Sequence, residues 1–277
     1  MRQRKVNMSI KKSQSQLLFE TMFIGANGKP FDQISKGQII QTQLTKEQAE
    51  ILKNCLLNEI PSYYYKSLLS YMESVVAIKD KLFSWATVRL YYSVFYSIKA
   101  YLAIQEVAIL RERRRLYYVK AKENESIKKC DDTTDHKATI NTLKKLYKNI
   151  DWLLSNNIEE IDAYNWMMEK REEVNYRDLD FHDPNAPEFW STINKEIEKN
   201  DIKAVIDNLV RDDGLLCFQD EYAILGIPTK RIILTVDEIK KQGKCLDISD
   251  EKKELIDSMS NILSEDSIAA LEIWKRI

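Results

Sequence analysis

The sequence predicts a mainly α-helical protein with small β excursions near its N-terminus and in its C-terminal part. The 277 residues include only six glycines and five prolines, which favours long helices over a turn-rich β fold. Apolar residues make up 44% of the chain and charged residues 31%, enough for a large core and a polar surface. Over residues 65–76 apolar side chains recur every three or four positions, the spacing of a helix with one buried face.

The first 58 residues are expected to form a segment ahead of the main helices. Residues 1–13 are basic and lack the apolar run of a secretory signal, so we interpret them as a tail. An Asn-Gly pair at positions 27 and 28 is typical of a turn between short strands and predicts a small β-hairpin. Thr45 and Gln48 have the spacing of a capping box, which predicts a leading helix at the end of this segment.

Two strongly apolar helices are predicted to form the centre of the fold. Pro61 is expected to separate the first of them from the leading helix, because proline cannot donate the hydrogen bond of a helix interior. This first helix is predicted over residues 62–81. The second, over residues 85–105, is apolar almost all round, which is typical of a helix packed on several sides. Arg89 lies within it, and a buried guanidinium there would need a carboxylate or a phosphate.

The densest basic run covers residues 111–122 and contains two tyrosines. Basic residues interleaved with aromatic ones suit single-stranded nucleic acid, because rings stack on bases and guanidinium groups hold phosphates. The other interpretation is a solvated helical extension without a ligand. The candidate substrate-binding residues of this run are Arg111, Arg113, Arg114, Arg115, Tyr117 and Tyr118.

Two further helices and an acidic lobe complete the predicted chain. His136 opens the first helix, where we interpret it as a first-turn residue that bonds a capping group. The second is predicted over residues 159–177, and Pro184 prevents its extension because the residue before a proline avoids the helical region. Residues 189–277 are predicted to form an α/β lobe, with extended segments over residues 215–236 and two acidic helices at the end.

Charge and cysteine usage narrow the class of protein. The first 122 residues carry an excess of Lys and Arg and the rest an excess of Asp and Glu. This asymmetry fits an anionic partner such as nucleic acid, or attraction between the two halves or between copies. The four cysteines are scattered, which argues against a zinc site and a disulfide scaffold and fits a reducing compartment. With no run of about 18 apolar residues and no glycine-rich phosphate loop, we expect a cytoplasmic protein without metal, cofactor or membrane span.

Three segments in chain order resemble the HEPN superfamily, in its branch with RAYYxxFxxxK, SHKxxI and RExADY segments. The first segment covers residues 89–99 and contains an arginine, a pair of tyrosines, a phenylalanine and a lysine at the family's spacing. The second segment begins at His136, and the third runs from Arg171 to Tyr176. The resemblance implies an up-and-down helical bundle that forms a homodimer. We place this bundle at residues 59–188, between the leading segment 1–58 and the lobe 189–277.

The resemblance also implies a metal-independent endoribonuclease of a bacterial toxin–antitoxin or antiphage defence system. Many members carry an arginine and a histidine separated by four to six residues, and Arg177, Asp178 and His182 match that pattern. In such chemistry the 2′-OH of RNA attacks the adjacent phosphorus and leaves a 2′,3′-cyclic phosphate, while imidazole moves protons and guanidinium stabilises the phosphorane. The candidate catalytic residues are Arg177, His182, Arg171 and Asp178, and further candidates for substrate binding are Arg89 and Tyr176.

Two features depart from the nuclease pattern. Arg171 occupies the arginine position of the branch, yet it lies six residues before Arg177, and a step of six residues turns a helix by about 240°, so the two cannot face one site. Pro184 stands where toxins paired with a nucleotidyltransferase carry a modified tyrosine, so that switch is expected to be missing. The alternative function is a non-catalytic HEPN-like dimerisation module that binds an antitoxin, a nucleotidyltransferase or a defence effector through its acidic lobe.

Overall fold

The computed structural model describes residues 12–24, 34–243 and 246–271, and there the protein is mainly helical with small antiparallel sheets. This confirms the predicted fold class in its coarse form. The chain divides into two compact units. Unit 1 contains the described residues up to Glu59 together with Glu106–Thr133, and unit 2 contains Ile60–Gln105 together with the described residues from Thr134 onward. The basic run at 111–122 therefore belongs to unit 1, whereas the three family-like segments belong to unit 2.

Unit 1 combines helices with a three-stranded antiparallel meander of order β1-β2-β3. Arg113, with a left-handed φ of 53°, lies in the tight turn between the first two strands, and Arg115 pairs there with the buried carboxylate of Glu112 at 2.7 Å. The hairpin replaces the helical extension that was the alternative interpretation of this run. The elements are α1 (Gln14–Ile24), α2 (Lys36–Gln41), the first part of α3 (Lys46–Lys79), β1 (Val107–Glu112), β2 (Arg115–Lys120) and β3 (Lys128–Lys129).

The predicted β excursion near the N-terminus is wrong for its described part, because residues 17–24 lie in helix α1. Phe19 and Phe23 are four residues apart, and their rings pack edge to face at 5.4 Å. Phe19 also contacts the Tyr117 ring of β2 at 6.1 Å. A spacing of four places both phenylalanines on one helical face, so helix formation buries them together. The Asn-Gly pair at 27 and 28 lies outside the described residues.

The predicted break at Pro61 is also wrong, because α3 runs through it as one helix. Proline removes one backbone hydrogen bond and crowds the preceding turn. Here the apolar stripe continues on both sides of the ring, and its burial outweighs that loss. Side chains at intervals of three or four residues remain at most 3% exposed along α3: Leu52, Leu56, Ile60, Tyr64, Leu68, Tyr71 and Val75.

Unit 2 is organised around helix α4 (Phe83–Ile104), most of whose side chains are buried, and around helix α9 (Asp220–Lys241), which packs along it. Buried hydroxyl groups connect the two helices, since the Ser97 and Thr235 oxygens lie 2.8 Å apart. The remaining elements are the second part of α3, α5 (Asp135–Tyr147), β4 (Asn157–Ile158), β5 (Ile161–Asp162), α6 (Ala163–Glu172), α7 (Ser191–Asn200), α8 (Ile202–Arg211), α10 (Asp250–Ser260) and α11 (Glu265–Leu271).

The extended segments predicted over residues 215–236 are wrong. A short 3₁₀ turn at Leu215–Phe218 leads directly into α9, which includes Pro228 in its interior. A short apolar run fits a buried strand and a buried helix equally well, and only its surroundings decide between them. Here the run lies against α4, and Ile224, Ile227 and Ile232 have no exposed surface. The second small sheet of the described chain is the β4-β5 hairpin, outside the predicted positions.

Candidate functional site

The three family-like segments meet in unit 2. Tyr91 comes from α4, His136 from the first turn of α5, and Arg171 from the last turn of α6. The Tyr91 hydroxyl lies 2.9 Å from Nδ1 of His136, and the Arg171 guanidinium lies 4.8 Å from the centre of the Tyr91 ring. We call these three residues the Tyr–His–Arg cluster. It brings an imidazole and a guanidinium into contact with one phenol.

His136 is held by aromatic rings. Its imidazole stacks on Phe95 at 4.2 Å and meets the edge of Tyr92 at 5.6 Å. Burial, followed by the charge of Arg171, lowers the pKa of His136 below its usual 6.5. The first turn of α5 acts in the same direction, because a helix N-terminus carries partial positive charge. The imidazole is therefore neutral near pH 7 and available as a base.

The second ring nitrogen of His136, Nε2, has no hydrogen-bond partner among the described residues, and the residue is partly exposed. A neutral imidazole that donates from Nδ1 to the Tyr91 oxygen keeps the lone pair of Nε2 free for a proton. Burial raises the pKa of Tyr91 to about 12, so this phenol stays protonated as it positions the ring.

Arg171 is the most unusual member of the cluster, because it is a buried cation whose hydrogen bond to the Tyr91 side chain leaves its Nε without an acceptor. The residue is 9% exposed, and its guanidinium lies between the rings of Tyr91 and Tyr176, 5.6 Å from the latter. Its Nε is enclosed without an acceptor in the described chain, and the carboxylate that pairs with it there, Glu172, is 3.9 Å away. Buried charges are normally paired and hydrogen-bonded. An anionic ligand would supply what this guanidinium lacks.

A π-helical turn at Glu173–Arg177 begins two residues after Arg171. Such turns insert an extra residue into a helix and occur frequently at functional sites. The predicted helix over residues 159–177 is therefore wrong at both ends: residues 159–162 belong to the β4-β5 hairpin region, and the regular α-helix ends at Glu172. Tyr176 lies within the turn and is 71% exposed, so its ring forms the outer wall of the Arg171 site.

The second arginine–histidine pair does not form a comparable cluster. Arg177 lies 3.7 Å from Glu172, and His182 lies 3.1 Å from Asp178, so each has its own carboxylate partner. Both side chains are at least half exposed. Glu172 faces Arg171 with one oxygen and Arg177 with the other, which places a single carboxylate between the two arginines.

The predicted substrate-binding residues are distributed over both units. Arg89 is exposed and pairs with Glu73 at 3.0 Å, so a carboxylate accompanies it. Arg111, Arg113 and Arg114 are exposed on the unit 1 hairpin. Tyr117 and Tyr118, at 0% and 4% exposure, lie in the core of that unit, where no base can stack on them. The predicted binding of nucleic acid by base stacking on these two tyrosines therefore does not apply to this hairpin.

The sequence analysis missed His136 and Tyr91 as site residues, since it interpreted the histidine as a capping residue. In the structure the Thr134 side chain caps α5, and this leaves the imidazole free to point at α4. The sequence did contain one signal that could have identified them, because Tyr91 and His136 lie inside two of the three family-like segments. Spacing along the chain could not show that they touch, because 45 residues separate them.

Within residues 12–24, 34–243 and 246–271, no group of three or more His, Cys, Asp or Glu side chains could hold a metal ion. Over the same part of the chain, no helix has the length and apolar character needed to span a bilayer. Comparison with protein-family models, curated proteins and solved structures found no match. Fold and cluster thus define a mainly helical protein with an aromatic-lined imidazole–guanidinium site.

The lowered pKa of His136 predicts a pH dependence of stability. The unfolded chain takes up a proton near pH 6.5, whereas the folded protein resists protonation, so the free energy of unfolding should fall as pH drops below about 6.5. Urea unfolding of wild type and His136→Gln at pH 7.5, 6.5 and 5.5 measures this. Other titrating groups affect the wild type and the variant alike. The wild type should therefore lose more stability than the variant as pH falls, and the difference reports His136. Parallel pH curves would contradict the assignment.

Proposed function

We propose that this protein is a HEPN-like, metal-independent endoribonuclease whose reaction centre is the Tyr–His–Arg cluster. The observation that carries the proposal is the guanidinium of Arg171, buried against two tyrosine rings, with an Nε that has no acceptor in the described chain and with a neutral, partly exposed imidazole nearby. A phosphodiester fits this arrangement, because its anionic oxygens accept from guanidinium and its neighbouring 2′-OH can give a proton to imidazole.

The proposed reaction is an internal transesterification. Nε2 of His136 accepts the 2′-OH proton as the 2′ oxygen attacks the adjacent phosphorus. Arg171 stabilises the charge that develops on the phosphorane oxygens. The bond from phosphorus to the 5′ oxygen then breaks, and that oxygen takes a proton from solvent. The products are a 2′,3′-cyclic phosphate and a 5′-hydroxyl, and the positions of Tyr91 and Phe95 keep the imidazole oriented throughout.

The cellular setting is part of the same proposal and rests on the resemblance of the three segments. It places the protein in the cytoplasm, as a homodimer in a bacterial toxin–antitoxin or antiphage defence system. The arginine–histidine pair of Arg177 and His182 then lies outside the reaction centre. Its exposed position suits contact with substrate or with the second copy.

A second candidate function is a partner-binding module without catalysis, favoured by an exposed apolar patch. Trp85 and Phe181 are each almost half exposed and contact one another at 5.4 Å, and Leu179 is 96% exposed nearby in the chain. Exposed aromatic side chains of this kind commonly anchor protein interfaces. The expected signature is a stable complex with an antitoxin, nucleotidyltransferase or defence effector in gel filtration, without RNA cleavage.

The proposal is tested by incubating purified protein with labelled RNA in excess EDTA. Wild type should cleave and leave cyclic phosphate ends, while His136→Gln should be at least about 100-fold slower because it loses the base. The double variant Arg177→Ala/His182→Ala serves as the matched control and should retain most activity. Loss of cleavage in the double variant alone would move the reaction centre to that pair. Absence of cleavage by every protein would reject the nuclease in favour of the second candidate.

A further inference from the structure

A surface of lysines and tyrosines lies beside the Tyr–His–Arg cluster in unit 2. Helices α3, α4 and α10 supply it, and its cations lie over aromatic rings. Lys66 is 5.3 Å from the centre of the Tyr96 ring, Lys99 is 5.6 Å from that of Tyr63, and Lys252 is 4.9 Å from that of Tyr65. We call these six residues the lysine–tyrosine surface.

Of the three lysines of this surface, one forms an ion pair within the described residues. Lys99 forms an ion pair with Asp135 at 2.8 Å. Lys66 and Lys252 have no ion pair with any residue in the described part of the chain, although both contact rings. Burial and the charges of Lys99 and Lys252 lower the pKa of Lys66, which reflects cations held close to one another. An anion bound among them would relieve this repulsion.

The lysine–tyrosine surface connects to the candidate reaction centre through rings in contact. Tyr96 stacks on Tyr92 at 6.0 Å, and Tyr92 meets His136 at 5.6 Å. Tyr91 then links the imidazole to Arg171, whose other side faces the exposed Tyr176. A path of contacts between cations and aromatic rings therefore connects Lys66 to Tyr176, and all its rings except the buried Tyr91 are at least partly exposed.

We infer that this path binds single-stranded RNA, with the lysine–tyrosine surface holding the backbone phosphates next to the scissile one. Ammonium groups neutralise phosphates, and tyrosine rings accept unpaired bases by stacking, a combination typical of single-strand binding. A duplex keeps its bases paired and cannot offer them to the rings. The inference deepens the proposed nuclease function and rests on it, since it names the substrate form and the subsite beside the reaction centre.

The test measures binding without cleavage. Fluorescence anisotropy of the full chain with a labelled 2′-O-methyl oligonucleotide, which has no 2′-OH to attack, gives Kd at several salt concentrations. The variant Lys66→Ala/Lys252→Ala should bind about tenfold or more weakly. Its log Kd should also depend less on log salt, with a slope smaller by about 1.4 for two lost phosphate contacts. Tyr96→Leu should weaken binding without changing that slope, because stacking is not ionic.

Controls separate this inference from the nuclease proposal. Lys195→Ala/Lys203→Ala removes two exposed lysines on α7 and α8 and should bind as the wild type does. Equal Kd and equal salt slope in the two double variants would overturn the lysine–tyrosine surface even if RNA is cleaved. Binding that depends on Lys66 and Lys252 in a protein that never cleaves RNA would support the surface and reject the nuclease. Tighter binding of duplex than of single strand would overturn the assigned substrate form.

Discussion

Replacing Asp151 with asparagine is expected to lower the free energy of unfolding by about 3–5 kcal/mol, because it leaves a fully buried arginine without its counter-charge. Arg231 of α9 donates to Asp151 at 2.7 Å, and both side chains are 1% exposed. The Tyr164 hydroxyl donates to the same carboxylate at 2.6 Å, and Arg231 also lies 3.0 Å from that hydroxyl. This triad ties α9 to the segment before α6.

The pKa values of Arg231 and Tyr164 have the directions expected of mutual stabilisation. Burial alone lowers the pKa of Arg231, but the neighbouring Tyr164 and Asp151 more than offset it, so the pKa is raised and the guanidinium stays charged. Burial also raises the pKa of Tyr164 well above 10, which keeps the phenol protonated as a donor to Asp151. Arg231 and Tyr164 therefore remain in the protonation states that their bonds to Asp151 require.

Urea denaturation of the full chain, followed by circular dichroism, measures the effect of Asp151→Asn. Asp266→Asn is the matched control, because it breaks a largely exposed ion pair with Arg211 at 3.4 Å and should change stability by less than about 1 kcal/mol. The double variant Arg231→Met/Asp151→Leu should recover much of the loss, since it removes both charges together. If Asp151→Asn unfolds at the same urea concentration as the wild type, the buried Arg231–Asp151 pair does not stabilise the fold.

The second large effect is expected for Arg171→Met. This substitution should lower RNA cleavage while it leaves the free energy of unfolding unchanged or raises it. Arg171→Met removes a buried cation whose Nε has no acceptor in the described chain and substitutes an apolar side chain of similar length. Arg171→Met removes the free-energy cost of burying a charge but also removes the cation–π contacts with Tyr91 and Tyr176. Because these two effects are comparable in size, the free energy of unfolding should stay within about 1 kcal/mol of the wild type or rise. RNA cleavage should fall by about 100-fold or more, because the phosphorane loses its cation.

Paired measurements of urea unfolding and RNA cleavage on the same preparations check this prediction. Arg177→Met is the appropriate control, as it removes an exposed arginine in contact with the same Glu172. It should leave both quantities close to those of the wild type. A loss of several kcal/mol in Arg171→Met would show that the guanidinium is a structural element of the bundle, and unchanged cleavage would remove it from the reaction centre.

Much of the helical framework follows from local patterns. The all-round apolar helix over residues 85–105 is α4, whose buried side chains contact both α5 and α9. The repeat over residues 65–76 is the second half of α3. These predictions succeeded because a period of three to four apolar residues leaves a helix few other ways to bury its surface.

The errors share a cause, which is that burial overrides local preference. Pro61 should end a helix by its own chemistry, but the apolar stripe of α3 continues across it. The apolar run within residues 220–236 is compatible with a strand as well as with a helix. Because this run packs against α4 and is buried on most sides, it forms a central helix. Phe19 and Phe23 belong to a helix because both rings pack as a pair, with Phe19 also against Tyr117 of β2.

The chain alone indicated which chemistry is present, an arginine, a histidine and several tyrosines in three short segments. Tertiary contacts decided which of them act together, because only folding brings Tyr91, His136 and Arg171 into one cluster while Arg177 and His182 remain exposed with separate carboxylates. The same contacts place Lys66 and Lys252 beside that cluster, although 186 positions separate them in the sequence. Spacing within one helix can be calculated from its pitch, whereas the approach of distant segments depends on how all the buried faces pack at once.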